Sequence, residues 1–332
     1  MRNLLTIIII IATFTLSAQN YSPCYKEKYQ QGVSLYNSGK YEEAKAKFVA
    51  AKSCPVPNTK EADTWIEKCN TKLNPAPPKI PTIVTTDANG NQIFTIKNVT
   101  FKMVRVQGGT FTMGCTSEQE NRWNPCDDNE KPSHKVTLST YYIGETEVTQ
   151  ELWKAVMDNN PSEFKGDKRP VEQVSWDDCQ KFIRKLSQIT GKNFRLPTEA
   201  EWEFAARGGT KSAGYKYSGS NDIDAVAWYR VNALDKGKSS PDYGTHVVKT
   251  KQPNELGLYD MAGNVYEWCS DWYGKYTDAA QSNPQSLTKG SYRVYRGGSW
   301  YGSAGYCRTS YRSYYSSDYR TDYLGVRLVL IP

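Results

Sequence analysis

Four prolines fall within nine residues at Asn74–Thr82 (NPAPPKIPT). Proline fixes φ, lacks an N–H donor and pushes the preceding residue into extended backbone, so neither a helix nor a paired strand runs through such a stretch. The chain must therefore solve two packing problems on either side of a stiff spacer. We place a first unit at residues 19–73, the linker at 74–82 and a second unit at 83–332. Composition lets both be globular: of 332 residues, 38% are apolar and 13% aromatic, too many rings for a disordered or coiled-coil chain. A mean hydropathy of −0.68 is too polar for several membrane spans. The net charge of +7 is spread along the chain with no long Lys/Arg run, so no nucleic-acid partner is expected. His134 and His246 are the only histidines, which excludes a metal site needing three imidazoles from this chain.

Residues 1–18 read as a secretory signal peptide. Arg2 precedes an apolar run, Leu4–Leu16, that is short for a spanning helix, and Ser17 and Ala18 close it. The expected location is periplasmic, cell-surface or secreted, with no membrane span left after cleavage. Export permits disulfides among the eight cysteines. The close pairs Cys54–Cys69 and Cys115–Cys126 are the first expected. No C-x-x-C spacing supports a zinc ribbon or a thioredoxin-like site.

In the first unit, Val33, Leu35 and Tyr36, then Tyr41, Ala44, Phe48 and Ala51 recur at helical spacing around Gly39. The pattern resembles a single tetratricopeptide repeat with a turn at Asn37–Lys40, followed by a third amphipathic stretch at Glu61–Leu73. One repeat cannot bury its own face, so a protein partner or the following domain is expected to cover it. Beyond the linker the texture changes to short alternating segments among turns. Asp87–Asn91 reads as a hairpin turn. Helices are predicted at Gln150–Asp158, at Trp176–Thr190 and from Pro197 onward. The fold class is α+β with much irregular loop.

Ordered stretches of this second unit resemble the formylglycine-generating enzyme, or sulfatase-modifying factor, family. They are MVRVQGGTFTMG (103–114), YYIGETEVT (141–149), PVEQVSW (170–176), FRLPTEAEWEFAARGG (194–209), NELGLYDMAGNVYEW (254–268) and RGGSW (296–300), ending in GVRL at 325–328. The resemblance implies a C-type-lectin-like fold. It also implies, for the oxidase branch, two thiols that bind copper. Cys307 stands where the first thiol would be, counted from Arg296, but Arg312 occupies the place of the second. A lone thiol cannot make that two-sulfur copper site, so catalysis through Cys307 is the alternative reading. The sulfoxide-synthase branch needs histidines from a helical domain, and residues 19–73 contain none. Glu199, Glu201 and Glu203 read as helix-dipole partners and as ion-pair partners of Arg195 and Arg207. Asp260, Asn264 and Glu267 place three oxygen ligands around a Gly-Asn turn, a pattern suited to calcium; the resemblance implies the same ion, which several members of the family hold at the matching positions.

The segment 301–323 (YGSAGYCRTSYRSYYSSDYRTDY) holds seven Tyr and five Ser, a composition suited to recognition because Tyr gives amphipathic area at little entropy cost. It is flanked by RGGSW and LGVRLVLIP, which read as buried strands, so an ordered loop is expected. Randomising the adenines of Asn codons yields Tyr, Ser, Asp, Gly, Thr and Ala. The tail thus resembles the variable region of diversity-generating-retroelement receptors. The expected function is binding of a protein or cell-surface ligand through Tyr301, Tyr306, Tyr311, Tyr314, Tyr315, Tyr319, Asp322 and Tyr323. Trp300, Arg308, Arg312 and Arg320 are expected to add stacking and ion-pair contacts. An envelope scaffold of a gliding or secretion complex is a further alternative.

Overall fold

The computed structural model describes residues 21–56, 59–73, 82–120, 125–286 and 288–332; the predicted signal peptide and all of the linker but Thr82 lie outside the described residues. Two compact units divide at Ala76 and Pro77. The first is three helices: α1 (Pro23–Asn37), α2 (Tyr41–Lys52) and α3 (Lys60–Leu73). Ser22 caps α1 by accepting from the Tyr25 N–H at 3.3 Å, and Pro23 takes the first turn, where its missing donor costs nothing. Gly39, at φ +78°, turns the chain between α1 and α2. Phe48 packs so closely on Gly32 that a Cβ there would sit 2.8 Å from its ring. Trp65 of α3 stacks on Phe48 at 5.5 Å and donates to the Tyr29 hydroxyl at 2.7 Å.

The helix packing corrects one disulfide expectation. Cys54 bonds to Cys24, with Cα atoms 5.9 Å apart, because the antiparallel α1–α2 pair brings the end of α2 beside the start of α1. Cys69 remains a buried thiol on the inner face of α3. The Cys115–Cys126 bond forms as expected.

The second unit is built on three sheets. The largest orders its strands β1 (Thr82–Thr86), β2 (Gln92–Ile96), β3 (Val99–Val106), β6 (Tyr141–Gly144), β13 (Val329–Leu330), β7 (Phe194–Arg195). A second pairs β4 (Gly109–Met113), β5 (His134–Leu138) and β9 (Gln281–Ser282); the third orders β11 (Arg312–Tyr315), β10 (Arg293–Arg296), β8 (Tyr266–Trp272), β12 (Leu324–Gly325). The turn at 87–91 forms as predicted: the Asp87 carboxylate accepts the N–H groups of Asn89 and Asn91, both at 2.9 Å. Lys97 and Asn98, both at positive φ, make the next hairpin turn.

Three helices carry the caps their sequences announce. Thr149 opens α4 (Gln150–Met157), Ser175 with Asp178 opens α5 (Trp176–Thr190), and Thr198 with Glu201 opens α6 (Glu199–Ala206). Helices α4 and α5 bury Leu152, Trp153, Phe182, Ile183 and Leu186 in one core with Phe94, Trp268 and Leu328. A second core surrounds Trp202 and Phe204 of α6. No described helix is long and apolar enough to cross a membrane. Non-reducing peptide mapping should return Cys24–Cys54 and Cys115–Cys126, with Cys69 alkylated only after denaturation.

Candidate ligand-binding face

Segment 300–323 is ordered, and its arginines hold it. Arg308 is 2% exposed and bonds both Glu130 oxygens, at 2.6 and 2.7 Å, while the Ser310 hydroxyl donates to the same carboxylate. Arg312, equally buried, grips Glu199 through Nε and Nη2 at 2.7 and 2.6 Å, and its Nη1 donates to the carbonyls of Asn129 and Gly274. Arg296 pairs with Glu203 and donates to the Ser310 and Thr309 carbonyls at 2.6 and 3.1 Å. Paired, bidentate burial is how such charges tolerate loss of water. Burial alone would raise the Glu199 and Glu130 carboxyls; their arginines instead hold both below the usual carboxylate range.

This corrects the contact role expected of Arg308 and Arg312. Trp300 is also interior at 1% exposed, donating to the Asp322 carbonyl at 3.0 Å and packing edge-on against Phe164 and Tyr243. Arg320 is exposed but committed to Asp178, at 2.8 and 2.6 Å. Asp322 is half-buried, with its carboxyl raised by desolvation.

The tyrosines divide by strand geometry. Successive side chains on β11 point to opposite faces, so Tyr314 follows Arg312 and stacks on Tyr273 at 3.7 Å, away from the others. Tyr315 takes the other face and stacks on Tyr319 at 3.8 Å; the Tyr319 and Tyr323 hydroxyls lie 2.7 Å apart, and Tyr323 stacks on Tyr301 at 5.4 Å. Tyr306 stacks on Tyr311 at 4.7 Å. Beneath them Tyr266 and Tyr295, both buried, meet edge-on at 4.9 Å. Burial, with the hydroxyls of Tyr311, Tyr295 and Tyr306 nearby, drives the Tyr266 phenol far above its ordinary range. Tyr301, Tyr306 and Tyr315 are 52%, 44% and 46% exposed. The result is an aromatic, hydroxyl-studded face on pinned backbone. Glu130, Tyr266 and Tyr295 were not among the residues expected here: no local motif ties Glu130 to Arg308, 178 residues away.

The catalytic and metal expectations fare differently. Cys307 is buried among Tyr217, Tyr229 and Ala262, and desolvation pushes its thiol up to about 12. It is protonated at neutral pH, and Arg312 offers no second sulfur, so the residues do not fit a copper pair. For calcium, Asp260, Asn264 and Glu267 do not present free oxygens together. Glu267 is held by Arg327, at 2.9 and 2.7 Å, and by the Trp202 N–H at 2.6 Å. Asn264 bonds the His246 backbone at both ends of its amide, and Asp260 accepts from the Lys249 N–H at 2.8 Å. Arg327 already supplies the positive charge, so the set does not fit the ion. Glu201 meets Arg195 and Glu203 meets Arg207, as expected, but Glu199 serves the tail. His134 bonds the Pro132 carbonyl at 3.2 Å, and His246 stacks flat on Trp228 at 3.6 Å.

Residues 93–331 match the sulfatase-modifying factor enzyme 1-like domain. The chain is 34% identical to a chaperone protein LppX of Paenibacillus barcinonensis, over 68% of this chain and 88% of that protein. It is 30% identical to a formylglycine-generating enzyme of Streptomyces coelicolor, over 68% and 87%. Among solved structures, Treponema denticola variable protein 1 is 37% identical, with a TM-score of 0.63 over 73% of this chain and 99% of that one.

Removing a buried arginine leaves an unpaired carboxylate, so Arg312→Ala should cost about 3–5 kcal/mol in chemical denaturation, whereas Tyr301→Ser should stay within about 0.5 kcal/mol. Burial raises Glu172 to about 7 and Asp260 and Asp271 to about 6. Their stabilisation is full below the ordinary carboxylate range and is lost as pH rises through those values. His246, lowered to about 4 by burial, has the opposite sign and loses its contribution as pH falls through 6.5. Three acids outweigh one histidine, so the thermal midpoint should rise between about pH 8 and about pH 5.5, and Glu172→Gln should flatten that rise.

Proposed function

The chain belongs to the sulfatase-modifying factor family, and we propose that it works there as an exported, non-catalytic ligand-binding protein. Its contact surface is the face of Tyr301, Tyr306, Tyr311, Tyr315, Tyr319 and Tyr323, and its ligand is a protein or cell-surface molecule. One observation carries the reading: Arg308, Arg312 and Trp300 are spent inside the fold, while Tyr301, Tyr306 and Tyr315 stand exposed with Tyr323, Tyr311 and Tyr319 stacked against them. Rings with few rotatable bonds on fixed backbone bind at low entropic cost. The likeness to a variable protein supports a second element, that a retroelement diversifies the tail. The buried, protonated Cys307 gives the oxidase alternative less support.

Deep sequencing of codons 296–332 across a population of source cells tests the diversification. Variation is expected at the six tyrosine codons and at exposed Ser303 and Asp318, with Trp300, Arg308 and Arg312 fixed because they hold the fold. A uniform tail overturns diversification. Oxidation of a cysteine-containing sulfatase-type peptide, lost in Cys307→Ser, would overturn the non-catalytic reading.

A further inference from the structure

A cavity of about 450 Å³ opens where residues 317–321 pack on the start of α5. Trp153, Met157, Pro161 and Val174 give it apolar walls, and Gln173, Asp178 and Arg320 line it with polar groups. Three features define what it accepts. The charges cancel, because the Arg320 guanidinium is bonded to Asp178 through two nitrogens, so the lining offers no free charge to a charged occupant. The Trp153 N–H is already given to Asn159 at 3.1 Å, and its ring is fixed by stacking on Phe182 at 4.8 Å, so that wall offers only apolar ring surface. Gln173 and Asn159 complete the lining, and the Gln173 carboxamide makes no hydrogen bond among the described residues.

Gln173 also sits at φ +59°, a left-handed conformation that is strained for a non-glycine residue. Its own N–H donates to the Thr321 carbonyl at 3.0 Å, tying the cavity to the tail. A glycine would relieve the strain and keep that bond; what glutamine adds is one free donor and one free acceptor beside an apolar hole. A peptide group presents the matching acceptor and donor. A sugar would bring more hydroxyls than the few polar groups of the lining can pair, and would set the rest against Trp153, Met157, Pro161 and Val174.

We propose that this cavity is a subsite of the ligand face that takes an uncharged apolar side chain of a protein ligand, with the Gln173 carboxamide bonded to the ligand's main chain. The assignment rests on the tyrosine face being a ligand surface, and it adds the class of ligand: protein, with an apolar anchor.

The test is an NMR titration of the full chain with N-acetyl-L-leucinamide and N-acetyl-L-phenylalaninamide, against N-acetylglycinamide and N-acetylglucosamine. Saturable shifts at the cavity residues are expected for the two apolar amides, at least about tenfold weaker for the comparators. Gln173→Gly should hold or raise the thermal midpoint while weakening both apolar amides several-fold. Met157→Trp should fill the hole and abolish them. Silence from both apolar amides, undiminished binding by Gln173→Gly, or tighter binding of the sugar would overturn the proposal. Each reading can fail alone: the capped amino acids report on the cavity, and population sequencing reports on the tyrosine face.

Discussion

The ion pair between Arg312 and Glu199 joins β11 to the first turn of α6, and Arg296 with Glu203 and Arg308 with Glu130 repeat the device on either side. A segment of Tyr, Ser and Gly has no apolar stripe with which to dock itself. These guanidiniums dock it instead, each satisfying a carboxylate and, for Arg296 and Arg312, backbone carbonyls as well. Such pairs add little net stability over a well-packed apolar core, but they are costly to break and permit one geometry. They give an irregular loop the fixity that a helix or sheet gets from its own ladder.

Exposed surface and structural anchoring are thereby divided among different residues of one short segment. Arg308, Arg312 and Trp300 face inward, while Tyr301, Tyr306 and Tyr315 face solvent. Alternation along β11 sharpens the division, sending Tyr314 to Tyr273 and leaving Tyr315 for the face. The floor of Tyr266 and Tyr295 lies outside the tail, on β8 and β10.

Much of the fold was legible from local rules. The caps at Thr149, Ser175 and Thr198 and the turn at Asp87 are satisfied by neighbours in sequence, so short-range chemistry finds them. The flanking RGGSW and LGVRLVLIP also marked the tail as an ordered segment. What failed was any judgement needing a distant partner. Arg308 and Arg312 looked like free contact residues because Glu130 and Glu199 lie far away in the chain. Cys54 was assigned to Cys69 by proximity in sequence, when antiparallel helices brought it Cys24. The oxygen trio Asp260, Asn264 and Glu267 looked like a cage because nothing local reveals that Arg327 already occupies Glu267.

Strand β13 lies beyond the tail in sequence yet runs in the largest sheet between β6 and β7, pairing with both. A loss of reading frame anywhere in 301–323 would therefore remove a central strand and the Arg327–Glu267 pair along with the face. A gene that rewrote its tail would be proofread by folding: frame-keeping versions would close the sheet, and frame-breaking ones would leave it open to proteolysis before reaching a ligand.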